Sequence, residues 1–207
     1  MNLKFDNFDT LAQNLEELPS FHRIAFAASI CERLLPTYKA FFREAGWGNF
    51  TVLRTALDEV WLSLARKQFD KTKILQLIKD CEAAIPHADD VNSRYTYEAQ
   101  DAVAAICYLL EAGLTPVSWR VVKVAQRAAD TIKEFIEYEE EDRDPNWYEK
   151  LEEPSVTFAS HPLAVREMAK QQEDLQRLKE FETLDQHFLE WLRTSYDNDG
   201  KSVIDVS

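Results

Sequence analysis

The residues of this chain best suited to chemistry are carboxylates. Glu98 and Asp101 stand three apart, which places both on one face of a helix, while Asp89 and Asp90 lie in the turn before it and Asp58 belongs to another helix. Oxygen donors so placed suit a hard divalent cation, and a cation held there would activate water for hydrolysis. The five converge only if the helices bearing Asp58 and Glu98 pack with those faces together. The alternative is plain: Asp89 and Asp90 favour a helix start electrostatically, and Glu98 and Asp101 face water or pair with Arg94.

Other catalytic constellations are missing. No Glu-x-x-His occurs, so the ligand pattern of a di-iron bundle cannot be assembled. His22 and His187 fall at or beside apolar stripes, His87 lies in a turn and His161 opens a helix, so the four histidines share no ligand spacing. Cys31, Cys81 and Cys107 sit mid-helix on apolar stripes and read as reduced structural thiols, not nucleophiles. Only Gly46, Gly48, Gly113 and Gly200 are present, too few and too scattered for a phosphate-cradling loop. No cofactor is expected, a divalent cation being the one exception left open, and no catalytic residue is assigned.

A second kind of site is an interaction surface. Of the 37 acidic residues 21 follow residue 129, against 9 of the 24 basic ones, so nearly all of the formal charge of −13 sits in the last third. Such a field repels a phosphate backbone and speaks against DNA or RNA, although it suits a basic protein partner. The bland reading is a solvated, solubilising surface. Glu139, Glu140 and Glu141 end a helix whose dipole they oppose, and Trp147 follows, so these four are the candidate partner-binding residues. Trp47, Trp119 and Trp147, all near helix ends, are candidates for one aromatic patch.

The elements that must position these groups are helices. Scarce glycine argues against hairpins, and apolar residues recur at steps of three and four through most of the chain. Phe8, Leu11, Leu15 and Leu18 give a short first helix ended by Pro19. Ser20 then looks like the cap of a second helix, apolar along Phe21, Ile24, Ala28, Cys31 and Leu35, kinked or broken at Pro36 and stopped at Gly46. Asn49 caps a third helix carrying Leu53, Leu57, Val60 and Leu64. A fourth runs from Ile74 to Ile85. A fifth, from about Tyr95, ends at Gly113 as a left-handed cap, with Thr115 capping a sixth and Pro116 at its first position. The sixth dissolves into Glu139-Glu140-Glu141-Asp142. Residues 139–160 form a poorly periodic acidic connector, and a single long helix after Ser160, with Pro162 in its first turn, carries Leu175, Leu178, Phe181, Leu184, Phe188 and Leu192 inward. The tail from 197 is expected to be disordered.

Several segments in order resemble a known family: Cys31-Glu32-Arg33 with Pro36, Tyr38 and Phe41; the Gly46 to Gly48 turn; Leu57-Asp58 with Val60-Trp61; Ala84-Ile85-Pro86 with Ala88-Asp89-Asp90; Asp101; and His161-Pro162-Leu163. They are similar to the bacterial YjaG-like family, DUF416, a domain of unknown function, over the span from Phe21 to Trp191. The resemblance implies a helical fold and a cytoplasmic bacterial origin, and it transfers no catalytic residue. The stretch with Trp147, Tyr148 and Pro154 departs from the family pattern, which sets any shared role for it aside. Glu32 and Arg33 are read as a buried pair that fixes helix packing, with a functional groove as the other reading.

The expectation is thus an all-α, single-domain chain over 1–207, an irregular bundle of about seven helices. The N-terminal residues lack a secretory pattern and the longest apolar stretch, Ala102 to Leu110, is far short of a membrane span, so a cytoplasmic location is expected. The leading functional reading is a non-enzymatic interaction or regulatory protein, a homodimer or the partner of another protein. The alternative is a divalent-metal-dependent, hydrolase-like enzyme using the carboxylates.

Overall fold

The computed structural model describes residue 5 and residues 7–91, 93–151, 154–196 and 198–207. The N-terminal segment read for a secretory pattern, the first residue of the tail and residues 152–153 of the connector lie wholly or partly outside these. Among the described residues there are nine α-helices and no strand: α1 (Asp9–Glu16), α2 (Ser20–Ala45), α3 (Phe50–Arg66), α4 (Lys71–Glu82), α5 (Thr96–Leu114), α6 (Ser118–Arg143), α7 (Pro154–Ser160), α8 (Pro162–Glu180) and α9 (Gln186–Thr194). The all-α class stands and the count of about seven is corrected. A helix arises inside the connector, and the long last helix breaks at residues 181–185, where the Asp185 side chain accepts from the Phe188 amide and starts α9 anew.

The centre of the bundle is α2, which packs against α3, α5, α6, α8 and α9. Ala25, Phe26, Ala27, Ala28 and Ile30 are all fully buried, so this stretch is apolar all round rather than along one stripe, as a helix enclosed by others must be. Pro36 does not break it: α2 is one helix of 26 residues. A proline removes one amide and crowds the carbonyls of the turn before it. The Arg33 carbonyl, in that turn, accepts from the Val203 amide at 3.1 Å. The chain end is thereby held, with Ser202, Val203 and Ile204 buried and Arg166 paired with Asp205 at 2.6 Å, which corrects the expectation of disorder for residues 198–207. Three apolar residues, Val203, Ile204 and Val206, amid polar ones carry no helical periodicity to read.

Local signals explain most boundaries. Gly46 takes the left-handed cap of α2 (φ 62°), the Asn49 side chain accepts from the Val52 amide to open α3, and His161 caps α8 from Nδ1 with Pro162 behind it. Three expectations fail. Ser20 lies inside α2, whose cap position is Pro19 and which has no side-chain cap. Gly113 lies within α5, where a Cβ would come within 2.8 Å of the Phe69 ring, so glycine serves close approach, not a left-handed turn; α6 starts at Ser118 with Val117, not Thr115, before it. Finally, α6 runs through the acidic residues to Arg143, which pairs with Glu140 at 2.7 Å and offsets the charge at the helix end.

Arg33, 2% exposed, faces α8, where its Nε and Nη2 donate to Glu167 at 2.8 and 2.7 Å and its Nη1 to Asp174 at 3.1 Å. Lys170 donates to Asp174 at 2.6 Å, Ser29 to Asp174 at 2.8 Å and Gln171 to Glu167 at 2.8 Å. Two cations meet two anions, with every carboxylate oxygen engaged. Glu32 does not pair with Arg33 but turns to α3, where Arg54 grips it through two bonds of 2.7 and 2.8 Å and Trp61 donates to it at 2.7 Å. Removing one member of a buried ion set leaves a charge uncompensated, at a cost of about 3–5 kcal/mol. Arg33→Ala therefore lowers the unfolding free energy by about that much in urea denaturation. The double change Arg33→Met with Glu167→Gln, which leaves the Lys170–Asp174 pair intact, costs less than Arg33→Ala alone.

Candidate functional site

The helices α5 and α6 lie side by side and antiparallel, as the register of their contacts shows: Glu111 meets Arg120, Asp101 meets Arg127, and Arg94, just before α5, meets Glu139. Toward the end formed by the start of α5 and the close of α6, the seam between them turns acidic. Asp101, 4% exposed, accepts from Arg127 at 2.8 Å and from the Thr131 hydroxyl at 3.2 Å, and Arg127 also pairs with Asp130. One turn nearer that end, Glu98 is 3% exposed, and its Oε2 finds no hydrogen-bond partner among the described residues; the same holds for Oε2 of the half-buried Glu134 on α6. Beyond them the Arg94 guanidinium lies 5.1 Å from the Tyr95 ring and 5.2 Å from the Tyr138 ring. Tyr138 and Tyr97 are both exposed at this end.

The electrostatic consequence is direct. Burial pushes Glu98 up to about 7, with Asp101 adding to the rise and its own backbone amide opposing it. Burial likewise raises Glu134 to about 8, with Asp101, Glu98 and Asp130 reinforcing it, and raises Asp101 to about 6 against the pull of Arg127. Arg127 is taken by Asp101 and Asp130 and Arg94 acts on Glu98 only from a distance, so burial dominates and Glu134 and Glu98 are the groups raised furthest.

Of the metal candidates, then, Glu98 and Asp101 share this seam, buried rather than solvated. Asp58 is elsewhere, accepting from Arg54 at 2.9 Å and paired with Arg193 beside Glu32. Asp89 and Asp90 are exposed in the turn between α4 and α5. The five do not converge, and among the described residues no group of three His, Cys, Asp or Glu side chains has the disposition to hold a metal ion. Of the partner candidates, Glu139 borders the seam through Arg94, Glu140 pairs with Arg143, and Glu141 is exposed. Trp147 is half-buried with its ring edge-on to Phe158 at 5.9 Å, pinning the connector. Trp119 lies in the first turn of α6, whereas Trp147 packs on Phe158, whose ring lies 5.5 Å from the Lys133 ammonium about four turns further along, so the single aromatic patch does not form. Glu134 was missed because it precedes the acidic run and its neighbours on α6, Lys133 and Phe135, suggest no site.

The cysteines are free; Cys31 and Cys81 are buried and Cys107 partly so, and burial pushes the Cys107 thiol up to about 12, far from a reactive thiolate. No helix among the described residues is long and apolar enough to cross a membrane.

An acid whose pKa is higher in the folded than in the unfolded state contributes stability that is present below its unfolded value and lost as pH rises through the folded one. Glu98, Asp101 and Glu134 are all raised. Stability against urea is expected to fall as pH rises from 5 to 8, the interval between their ordinary values and their folded ones. Glu98→Gln, neutral throughout, flattens that slope.

Comparison with known proteins places the chain. It is 28% identical over 192 residues to the uncharacterized protein YjaG of Escherichia coli K12, covering 93% of each chain, and 27% identical over 129 residues to an uncharacterized protein of Haemophilus influenzae, covering 61% of this chain and 65% of that one. The fold is similar to the crystal structure of a DUF416 family protein from Shewanella baltica OS155, with a TM-score of 0.82 at 24% identity over 94% of this chain and 97% of the other. The model of the family described as "Protein of unknown function (DUF416)" matches residues 10–207, and the chain belongs to that family.

Proposed function

We propose that this chain is a non-enzymatic cytoplasmic interaction protein whose α5–α6 seam receives a cationic side chain, lysine or arginine, of a protein partner. The observation that carries the reading is the pair of unpartnered oxygens, Glu98 Oε2 and Glu134 Oε2, on a seam where Arg127 pairs with Asp101 and Asp130 and leaves both glutamates without an ion pair. An unpaired buried polar atom costs free energy that a donor from outside would recover. A lysine ammonium brings three donors and a full charge, and Tyr97 and Tyr138 offer rings for its apolar stem. The acidic excess of the last third would speed the approach of a basic partner and repel nucleic acid. The divalent-cation enzyme gains no comparable support, since Asp58, Asp89 and Asp90 lie away from Glu98 and Asp101.

The test is a titration with short peptides bearing lysine or arginine among apolar residues, followed by NMR and calorimetry. The expected result is saturable shifts at Glu98, Glu134, Tyr97 and Tyr138. Proton release near pH 7 should accompany them, because a bound cation lowers the raised carboxyl values. Glu134→Gln weakens binding at least about tenfold. Peptides that leave the seam unshifted, or bind with no proton release, refute this function.

A further inference from the structure

We infer that the cavity at the start of α2 is a binding site for a small zwitterion with an apolar body, of the class of an aliphatic amino acid. Two adjoining cavities, of about 180 and 290 Å³, share Pro19, His22 and Glu182. The smaller is completed by Phe21, Leu64 and Leu184 on its apolar side and by Lys67 and Thr183 on its polar side.

Four features of this cavity point to a ligand. The first is His22, 4% exposed, whose Nε2 lies 2.8 Å from the Phe181 carbonyl oxygen. A carbonyl only accepts, so Nε2 carries the hydrogen, and in that tautomer Nδ1 is the acceptor. That Nδ1 is buried and has no partner among the described residues. The second is Lys67, which closes α3 in the left-handed region at φ 53°, a position where glycine is the unstrained choice. Its ammonium pairs with no acid among the described residues, and the residue is exposed at the cavity wall, where its charge is free to meet an anion. The third is the N-terminus of α2 itself: Pro19 offers no side-chain cap, and the first amides of a 26-residue helix remain without intrahelical acceptors. The fourth is Glu182, whose carboxylate is exposed at the rim and pairs with no described cation.

These groups sort into two poles. Lys67 and the α2 amides are donors with positive character, fit for a carboxylate; His22 Nδ1 and Glu182 are acceptors, fit for an ammonium. A simple anion would leave Nδ1 unmet and face Glu182, and a simple cation would face Lys67. A molecule carrying both charges satisfies both poles, while Phe21, Leu64 and Leu184 take its hydrocarbon part. The volume lies below the ~300 Å³ at which cavities begin to hold drug-sized ligands, which favours a small aliphatic side chain over a large aromatic one.

The experiment is NMR of the imidazole and Lys67 signals during titration with L-valine, with isobutylamine and isovalerate as analogues lacking one charge each. Saturable shifts of His22 with L-valine at millimolar concentration, and binding at least about tenfold weaker for both analogues, are expected. Lys67→Gly supplies the control against a folding artefact, since it relieves the left-handed strain and should raise the melting temperature while weakening L-valine binding at least about tenfold. The proposal falls if L-valine leaves His22 unshifted, if isovalerate or isobutylamine binds as well as L-valine, or if Lys67→Gly binds it undiminished.

Discussion

Arg33 carries a full positive charge on a helix enclosed by the rest of the bundle, and its side chain is almost wholly removed from water. The idealised penalty for moving such an ion into a dry interior is of order 20 kcal/mol, far beyond a domain's net stability, so the fold must bring compensating charge to it. It does so with α8. Glu167 and Asp174 stand seven residues apart, two helical turns, and therefore on one face, where both oxygens of each are engaged. This requirement sets how α8 lies along α2. The surplus negative charge of that face is balanced by Lys170, between the two acids on the same helix. The chain end then docks on the adjoining turn of α2, its Val203 amide meeting the Arg33 carbonyl and the Tyr196 ring lying 5.6 Å from the Arg33 guanidinium.

How much of this was legible in the sequence follows from how local each cause is. Asn49, Gly46 and His161-Pro162 act within one turn of the chain, and each performs the role its residue type suggests. Pro36 has a local cost that tertiary contacts override, because a helix packed on all sides gains more from continuing than from stopping. Gly113 was misread because a glycine states only that a Cβ is unwanted: the reason here, the ring of Phe69, lies more than forty residues away. Glu32 and Arg33 were read as one pair, yet neighbours on a helix point about 100° apart. One meets α3 and the other α8.

The candidate site was legible in part. Glu98 and Asp101 sit three apart, and that spacing did mark a shared face. That the face is buried was hidden, since a carboxylate at a core position looks like one on a surface until its neighbours are known. Asp58 shows the same limit from the other side: Arg54, four residues before it, lies within reach of a spacing rule, but its second partner Arg193 is 135 residues away, and no such rule reaches so far. The polar half of a helical fold is written in long-range pairs, whereas the apolar half is written in local periodicity.

Two sets of buried polar groups among the described residues contrast with one another. Around Arg33 each carboxylate oxygen is met, charges balance, and the set explains its own presence by fixing α8 on α2. Around Glu98 and around His22 an acceptor is buried and left over, in each case beside exposed side chains the packing does not need, Tyr97 and Tyr138 in one place and Lys67 in the other. An unmet acceptor in a packed interior is a standing cost, of about 1–3 kcal/mol each. A fold that meets every oxygen at its most demanding site has the means to avoid that cost elsewhere. Where it does not, as at Glu98 and His22, a donor from outside the chain would recover that cost.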